Sequence, residues 1–417
     1  MEKRVVVIGA GIVGVCSALE LARRGAKVTL VDRQEPGMAC SWGNAGALAS
    51  WYCVPMAMPG LHKKVPRMLL DPEGPLSLRL GALPRTLPWL WRFHRQAREE
   101  TARQVSEPLF ALYHSSVELH EGLAREAGAQ ALIRSTRYLY LYRKPEDYNP
   151  NALEWQLRRQ YGAEIEVHDG VEAIRELEPS LAPVYRRAVT VGPLARTLEP
   201  YRLTVAYADL LRRMGGTVLQ AEVTRLESSP AGVSVVTRGQ RLAADLAVVA
   251  AGAWSADLIR SLGVRLPLIA ERGYHMTFAD PGVELTHCVH PTDRSLLITS
   301  QLGGLRLAGT DELAGPDDAP RWRRAEIMRK IAAELFPSAN LGKGTRWMGP
   351  RPGFPDTLPA IGPLPGHPNV LMACGHGHVG LTGAPMTGRM IAALAAGESL
   401  NIDVTPYSPG RFSARRA

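Results

Sequence analysis

Two histidines alternate with glycines in the stretch ACGHGHVGLTG, residues 373–383. Cys374, His376 and His378 are residue types that bind metals, but they lack an obvious fourth ligand and helical spacing, so no metal site is predicted. The glycines at 375, 377, 380 and 383 leave the backbone bare. This favours the close approach of a large flat ring, with one of the two histidines facing a substrate.

A helix of small residues is predicted directly after this loop, from Ala384 to Ala396, with Thr382 as its N-cap and Pro385 in its first turn. The unpaired N–H groups at a helix N-terminus stabilise negative charge. The loop and the helix together predict a site for an aromatic ring that carries negative charge.

Glycines also mark a candidate site near residue 10. A strand-like run, Arg4–Ile8, is followed by Gly9, Gly11 and Gly14, then by a helical pattern and a second strand that ends at Asp32. Gly9 permits a tight turn, Gly11 the approach of a pyrophosphate, and Gly14 close packing of the helix on the strand. Asp32 is placed to accept hydrogen bonds from an adenosine ribose, and its charge disfavours a 2′-phosphate. The unit predicts a dinucleotide site, which either FAD or NAD could occupy.

Arg351 is held between Pro350 and Pro352, so its backbone is stiff. A guanidinium on such a segment suits bidentate binding of a carboxylate. A structural ion pair with Asp356 is the alternative that the sequence leaves open.

Two stretches of small residues are further candidates for contact with a ligand. SWGNAGALAS, residues 41–50, either lays its backbone along a ligand or forms an ordinary surface loop. DLAVVAAGAWS, residues 245–255, ends a buried strand in small residues, where either a cofactor crosses the strand end or the chain only turns.

The stretch from Pro55 to Pro88 is rich in proline and carries the apolar patches MLL and LPWLW. Its basic residues include Lys63, Lys64, Arg67, Arg79 and Arg85. Basic and aromatic residues beside apolar ones suit a membrane surface. The preferred alternative is an irregular segment that caps a pocket, because the stretch shows no clean period.

Apolar periodicity predicts the elements that must position these candidates. Helical patterns lie within residues 87–127, 147–161, 170–177, 200–214 and 321–335. Strands are predicted at residues 137–143, 218–219, 221–227, 233–237, 246–251 and 369–373, and at RGYHMTF, SLLITS and GLRLAGT between residues 266 and 336. The latter three indicate a second sheet.

The composition excludes several classes of protein. At 417 residues the chain is long enough for two domains. Its net charge is +9, but the basic residues are mostly arginines scattered along the chain, so nucleic-acid binding is not predicted. Five irregularly spaced cysteines indicate reduced thiols. No run reaches the roughly 20 apolar residues that span a bilayer. A cytoplasmic location is predicted, with peripheral association with the inner face of the cell membrane left open.

Six motifs, in this order, resemble the FAD-dependent amine and amino-acid oxidoreductases of the D-amino acid oxidase type, and among them the bacterial D-amino acid dehydrogenases. They are VVVIGAGIVGVCSALELARRGAKVTLVDR, SWGNAGALAS, VVAAGAWS, RGYH, GPRPGFPDTLPAIGPLP and GHGHVGLTGAPMTGRMIA. The resemblance covers nearly the whole chain. It implies an α/β fold of two domains, a Rossmann-like FAD-binding domain from residues 1–62, 186–262 and 338–417, and an interleaved mixed-sheet substrate domain from residues 63–185 and 263–337.

The resemblance also implies which residues contact a noncovalent, elongated FAD. The ADP part is expected on Gly9, Gly11, Ile12, Val13, Gly14 and Asp32, with the strand around Val223 against the adenine. The isoalloxazine is expected near Asn44, Ala45, Gly46, Gly377, His378, Val379, Gly380, Leu381 and Thr382. Further expected contacts are Arg33, Ser41, Ala251, Gly252 and Trp254. The expected catalytic residues are Arg351, which matches the family's carboxylate-binding arginine, Tyr274 and His275, which match a strand lining the pocket, and His378.

The implied reaction is hydride transfer from the Cα of a D-amino acid to flavin N5. The resulting imine is hydrolysed to a 2-oxo acid and ammonia, and the electrons pass to a quinone or another acceptor. The motif GHGH departs from the pattern typical of these dehydrogenases, in which GHG is followed by a small residue. Three alternative substrates therefore remain open: D-proline, cis-4-hydroxy-D-proline, or an amine of the glycine or sarcosine type. Alternatives of other classes are an NAD-linked dehydrogenase and a flavin-carrying electron-transfer subunit that docks to a membrane or partner. The sequence does not predict an oligomeric state.

Overall fold

The computed structural model describes residues 2–71 and 73–413, without the side chains of His62, Lys63, Lys64, Pro66, Arg67 and Leu80. The strands, in chain order, are β1 (Arg4–Ile8), β2 (Lys27–Asp32), β3 (Ala47–Leu48), β4 (Leu76–Leu78), β5 (Ile133–Tyr142), β6 (Glu164–Asp169), β7 (Arg187–Thr197), β8 (Thr217–Gln220), β9 (Val223–Ser229), β10 (Gly232–Thr237), β11 (Arg241–Ala244), β12 (Leu246–Val249), β13 (Ile269–Phe278), β14 (Cys288–Pro291), β15 (Leu296–Gln301), β16 (Gly304–Leu313), β17 (Thr345–Gly353), β18 (Ala360–Leu364) and β19 (His367–Cys374). The helices are α1 (Ile12–Arg23), α2 (Leu61–Leu70), α3 (Leu83–Gln96), α4 (Glu99–Tyr113), α5 (Ser116–Ala127), α6 (Leu153–Gln160), α7 (Val171–Leu177), α8 (Pro200–Arg213), α9 (Ser255–Arg260), α10 (Arg323–Leu335) and α11 (Gly380–Ala396).

Six strands form a sheet in the order β18-β19-β12-β1-β2-β8. All neighbours are parallel except β18 and β19. The strands β1 and β12 are continuous apolar runs, because a parallel sheet is covered on both faces. Helices α1 and α11 cover one face, and the antiparallel sheet of β9, β10 and β11 covers the other. This confirms the predicted Rossmann-like part of the fold.

A second, ten-stranded sheet has the order β17-β13-β16-β15-β14-β5-β7-β3, with β4 paired to β16 and β6 to β7. Most pairs are antiparallel, but β5 is parallel to β14 and β4 is parallel to β16, so the sheet is mixed as predicted. Helix α10 packs on one face, where Met276, Phe278 and Leu335 share a buried core. Residues of this sheet also line the cavity described below.

Strand pairing divides the chain differently from the predicted domain boundaries. Strands β3, β7 and β17 lie within segments predicted for the FAD-binding domain, but all three pair within the ten-stranded sheet. The division into domains stays a prediction, and sheet membership favours later boundaries, after β7 and after β17.

Periodicity located the long helices well, and the ends of α8 and α10 differ from the predicted ends by at most two residues. It missed the strands β3, β4, β6, β7, β11, β14, β17 and β18 and the helix α2, and it detected only the second half of α3, whose first residues lie in the irregular segment expected between Pro55 and Pro88. Prolines hide the helical period of α3. Pro84 lies in the first turn, where no N–H is needed, and Pro88 lies on the exposed face.

Helix α11 begins four residues before the predicted start. Pro385 therefore lies inside the helix, where its missing N–H leaves the carbonyl oxygen of Leu381 without its usual partner. The Nε2 of His120 donates a hydrogen bond of 2.8 Å to that oxygen. Thr382 is not an N-cap, and its hydroxyl instead accepts a hydrogen bond from Ala49 N at 3.2 Å. The bare N–H groups of α11 consequently start at the glycine loop itself.

Candidate active site

A cavity of about 860 Å³ is lined by residues from both large sheets. Its wall includes residues that directly follow β1, β2 and β12. These positions are the carboxyl ends of parallel strands, where ligands bind in open α/β sheets. The volume lies near the top of the roughly 300–1,000 Å³ range of ligand pockets, so an elongated ligand has room.

Most of the residues predicted from the sequence line this one cavity. The predicted cofactor contacts in its wall are Gly9, Gly11, Ile12, Val13, Asp32, Arg33, Ser41, Asn44, Ala45, Val223, Ala251, Gly252, Trp254, Gly377, His378, Val379, Gly380, Leu381 and Thr382. The predicted catalytic residues in the wall are Arg351, His378 and Tyr274. Gly14, Gly46 and His275 lie outside it, so direct ligand contact is not supported for these three.

The glycine motif has the geometry that its spacing predicts. Gly9 has a φ of +107°, and a Cβ there would overlap the carbonyl oxygen of Ala250. A Cβ on Gly14 would overlap the carbonyl oxygen of Gly9, so Gly14 serves helix packing rather than ligand contact. A Cβ on Gly11 would meet only the Ser41 hydroxyl, at 3.5 Å. Gly11 is therefore the glycine at which a phosphate can approach.

Asp32 ends β2 with its carboxylate already oriented by the backbone. Its Oδ2 accepts a hydrogen bond from Ala10 N at 2.7 Å and its Oδ1 one from Gln34 N at 2.9 Å. Nearby, the guanidinium of Arg33 lies 4.2 Å from the ring centroid of Trp254. A carboxylate has further lone pairs, so Asp32 can still accept from a ribose hydroxyl.

Buried polar side chains that sequence reasoning missed hold the loop of residues 42–46 in place. Arg306 donates to the carbonyl oxygen of Asn44 at 2.8 Å, and Thr299 donates to that of Ala45 at 2.8 Å. Gln301 also donates to Asn44 O, at 3.2 Å. The sequence feature that could have indicated these residues is the presence of polar side chains inside the apolar strands SLLITSQ and GLRLAGT. Gly46 is a turn residue, with φ +86° and its N–H donating to Asn44 Oδ1 at 2.7 Å.

His275 also holds this loop, which corrects its prediction as a catalytic residue. Its ring stacks against both Trp42 and Trp347, with centroids 5.5 and 5.0 Å away. Its Nδ1 donates to the carbonyl oxygen of Gly43 at 3.0 Å. Burial lowers the pKa of His275 to about 3, so the ring is neutral. The geometry makes His275 a positioning residue for the loop.

The carboxyl-terminal glycine loop separates its two histidines. Both line the cavity, but His376 is buried and its Nε2 is hydrogen-bonded to the Thr387 hydroxyl at 2.8 Å, whereas the His378 ring contacts the ring of Tyr52. A Cβ on Gly377, whose φ is +55°, would meet no atom within 4 Å. Cys374 is a buried free thiol. Across residues 2–71 and 73–413, no group of three His, Cys, Asp or Glu side chains is arranged to hold a metal ion.

Arg351 pairs with Asp311, not with Asp356. Its Nη1 lies 2.7 Å from Asp311 Oδ1, and both residues line the cavity. Asp356 instead pairs with Arg411 at 2.7 Å. The guanidinium of Arg351 crosses β13 at Gly273, where a Cβ would overlap it. The glycine of the RGYH motif therefore makes room for the arginine.

Tyr274 and Glu271, on either side of that glycine, differ from expectation. The Tyr274 hydroxyl donates to Glu312 Oε2 at 2.6 Å and accepts from Arg321 N, so it is not free for a substrate. Glu271 is opposite Arg351 in the strand register and is buried. Burial, together with Asp311, raises the pKa of Glu271 to about 8, although Arg351 opposes this. Glu271 was missed because its importance depends on a strand partner 80 positions away.

An aromatic wall lines the part of the cavity formed by β5, β14 and the segment after β3. It consists of Tyr52, Tyr138, Tyr140 and His290. The Tyr52 ring meets the His378 ring edge-on at 5.3 Å, and Tyr140 meets His290 at 5.2 Å. The alternation in RYLYLYR carried the signal, because its tyrosines share one face of the strand.

The cavity fits FAD in its details. Its wall contains unobstructed glycine backbone at Gly11 and Gly377. It also contains the acidic strand end at Asp32 and the helix N-terminus at Gly380. A family model described as FAD dependent oxidoreductase matches residues 4–394. The chain therefore belongs to this family of FAD-dependent oxidoreductases.

Particular relatives are similar over nearly their whole lengths. A D-amino-acid oxidase of Bradyrhizobium diazoefficiens is 39% identical, covering 98% of this chain and 99% of the relative. A D-amino acid dehydrogenase of Methylobacterium radiotolerans is 32% identical, covering 98% and 100%. The crystal structure of glycine oxidase from Geobacillus kaustophilus matches with a TM-score of 0.74 at 22% identity, covering 98% and 99%, and shows the same fold.

Proposed function

We propose that the chain oxidises D-amino acids to 2-oxo acids and ammonia, passing electrons to a quinone or another acceptor. The observation that carries the proposal is the position of Arg351, a carboxylate-binding type of side chain in the cavity that also contains the bare loop of residues 377–382. The names of the relatives, D-amino-acid oxidase and D-amino acid dehydrogenase, support the substrate class.

The predicted cofactor contacts divide between the two ends of FAD. Residues 9–13 and Asp32 would hold its ADP part, and residues 44–45 and 377–382 its ring system. When bound, FAD supplies the acceptor for the hydride that leaves the substrate Cα as the neutral amine becomes an imine, which water then hydrolyses to the 2-oxo acid and ammonia.

The side chains of this protein bind and orient the substrate. Arg351 fixes the carboxylate, and correct orientation supplies several kcal/mol of a reaction barrier, about 7–11 in favourable cases. Burial, with a contribution from Arg351, lowers the pKa of His378 to about 4, so its ring adds no positive charge beside an amine. Burial raises the pKa of Tyr52, so its hydroxyl stays a hydrogen-bond donor. The predicted role of His378 in catalysis stays a proposal.

A substrate panel tests the function. The FAD-loaded protein is assayed with D-amino acids, their L-enantiomers, D-proline, cis-4-hydroxy-D-proline and sarcosine, by dye reduction without oxygen and by peroxide formation in air. We expect turnover of D-amino acids and none of L-enantiomers. Turnover confined to sarcosine or glycine would contradict the proposal, and the two assays identify the acceptor.

The pH dependence of carboxylate binding follows from Glu271. Its pKa of about 8 leaves the side chain mostly uncharged at pH 7 and negative at pH 9, beside Arg351. We therefore expect the affinity for an amine-free monocarboxylate, 2-oxopentanoate, to fall about tenfold between pH 7 and pH 9, because the new charge weakens the field of Arg351. Calorimetry with the FAD-loaded protein measures it. Glu271→Gln should give a flat profile, and a decline that persists in this variant would contradict the assignment.

We also propose that α3 docks the protein on an anionic membrane surface. The helix contains no acidic residue, and Leu87 and Trp91 are 56% and 60% exposed on it. Arg95 lies over the Trp91 ring at 4.8 Å, and Arg85 and Arg92 are exposed. Basic residues beside exposed apolar ones match a lipid surface of negative charge. For the chain as far as it is described, no helix is long and apolar enough to cross a membrane.

Vesicle sedimentation tests the docking. We expect the protein to bind vesicles that contain phosphatidylglycerol and not vesicles of phosphatidylcholine alone. Replacing Leu87 and Trp91 together with serine should weaken binding roughly tenfold or more, because each buried apolar side chain contributes about 1.5–3 kcal/mol. Leu302→Ser removes an equally exposed leucine from the turn between β15 and β16 and should change nothing. Equal sedimentation with both kinds of vesicle would argue against this surface.

A further inference from the structure

A second arginine, Arg158 on α6, lines the same cavity. Its guanidinium lies 4.8 Å from the ring centroid of Trp155 and 5.2 Å from that of Tyr140. Its Nη2 donates to the Tyr140 hydroxyl at 3.1 Å, and its Nη1 donates to the carbonyl oxygen of Glu154 at 3.2 Å. A guanidinium has five N–H donors, so three remain for a ligand.

Arg158 differs from Arg351 in its lack of an acidic partner. Arg351 has Asp311 at 2.7 Å. For Arg158, no carboxylate oxygen of residues 2–71 or 73–413 lies within 4.0 Å of the guanidinium nitrogens. A partly buried cation without an anion is costly, and the two aromatic rings compensate only in part. An anionic group of a ligand would complete its environment.

The surroundings of Arg158 lead toward the candidate catalytic end of the cavity. Burial lowers the pKa of His290 to about 4, and Arg158 adds to this shift. His378 is affected both by Arg351 and by His290. Arg158 is hydrogen-bonded to Tyr140, whose ring contacts His290, so the contacts of Arg158 continue along this wall. Because Arg158 and Arg351 line one cavity, a ligand with two anionic groups is the class that suits the pair.

Glu154 opposes this assignment. It precedes Arg158 by one helical turn and also lines the cavity. Its side chain forms no ion pair with Arg158 within 4.0 Å, so its charge reduces the attraction for an anion without occupying the guanidinium. Neutralising Glu154 should consequently strengthen the binding of an anion at Arg158.

We propose that Arg158 binds a second carboxylate of the substrate, so that the preferred substrates are D-amino dicarboxylic acids. Arginine binds carboxylates through paired, charge-assisted hydrogen bonds that neutral amides do not form equally well. The inference rests on the proposed oxidation of D-amino acids and names the substrate class of that site. It assigns to Arg158 a role in specificity, with Arg351 binding the carboxylate next to the reacting carbon.

Isosteric substrate pairs test the proposal in the FAD-loaded protein. D-glutamate and D-glutamine differ mainly in charge at the distal group, as do D-aspartate and D-asparagine. We expect kcat/KM to be roughly 10–100-fold higher for the acids, since a hydrogen bond to a charged group contributes about 1.5–3 kcal/mol. Arg158→Met should remove the preference by slowing the acids alone, Arg158→Lys should retain part of it, and Glu154→Gln should increase it.

Calorimetry separates this inference from the proposed function. Binding of 2-oxoglutarate is compared with binding of 2-oxopentanoate, which lacks the distal carboxylate. The wild-type protein should bind 2-oxoglutarate more tightly, and Arg158→Met should equalise the two. Equal affinities in the wild type, equal turnover of acids and amides, or a preference for D-lysine would overturn the inference while the oxidation of D-amino acids stands. Absence of all turnover with selective 2-oxoglutarate binding would instead overturn the proposed function.

Discussion

Replacing Arg351 with alanine is expected to lower kcat/KM for D-amino acids roughly 30- to 1,000-fold, mainly through KM. Loss of one member of a hydrogen-bonded charge pair costs about 2–4 kcal/mol, and each 1.4 kcal/mol is tenfold. The variant also leaves Asp311, 2.7 Å away in the native pair, to repel the substrate carboxylate. Steady-state kinetics and the flavin absorption of the purified variant measure the effect, and FAD should remain bound. An unchanged KM would refute the role of Arg351.

Gly273→Ala provides a matched test that keeps the arginine. The new Cβ would overlap the Arg351 guanidinium and displace it. We expect KM to rise with the positive charge still present, which distinguishes loss of position from loss of charge. Asp311→Asn is the complementary control, because it removes the competing carboxylate and should lower KM.

Gly14→Ala is expected to abolish stable FAD binding. Its Cβ would overlap the carbonyl oxygen of Gly9, and because this contact is between two backbone segments, α1 must move away from β1. Overpacking of this kind costs about 1–3 kcal/mol, and here it also shifts the N–H groups that face the diphosphate. The ratio of flavin absorption to protein absorption after purification, with the melting temperature, measures the result.

Gly122→Ala controls for the general effect of a helical glycine. Gly122 lies in α5, and a Cβ there would meet no atom within 4 Å. Alanine should be neutral or stabilise the protein by up to about 1 kcal/mol, with the flavin content unchanged. If Gly14→Ala purified with a full complement of FAD, the packing explanation would be wrong.

The cofactor half of the site was predictable because its signals are local. Gly9, Gly11, Gly14 and Asp32 lie within one strand-turn-helix-strand unit, so their spacing alone indicates the site, although the Gly9 turn packs against the distant Ala250. The fold class followed from the family resemblance, which rests on motifs of the same local kind.

The substrate half depends on contacts between distant segments, which single-sequence patterns do not encode. Arg351 pairs with Asp311, whereas the sequence offered Asp356, which is closer along the chain. His275 was expected in the cavity, but stacking against Trp42 and Trp347 turned it to the loop. The start of α11 depended on His120, 261 positions away, which satisfies the carbonyl group that Pro385 leaves unpaired.

The loop of residues 42–46 couples the stability of one sheet to that of the other. It follows the first βαβ unit in the chain, but its carbonyl oxygens accept hydrogen bonds from His275, Thr299 and Arg306 of the other sheet. A cofactor that binds to this loop should therefore stabilise both halves of the molecule against unfolding. By mass action, saturation with flavin is expected to raise the unfolding temperature of the ten-stranded sheet as well as that of the parallel sheet.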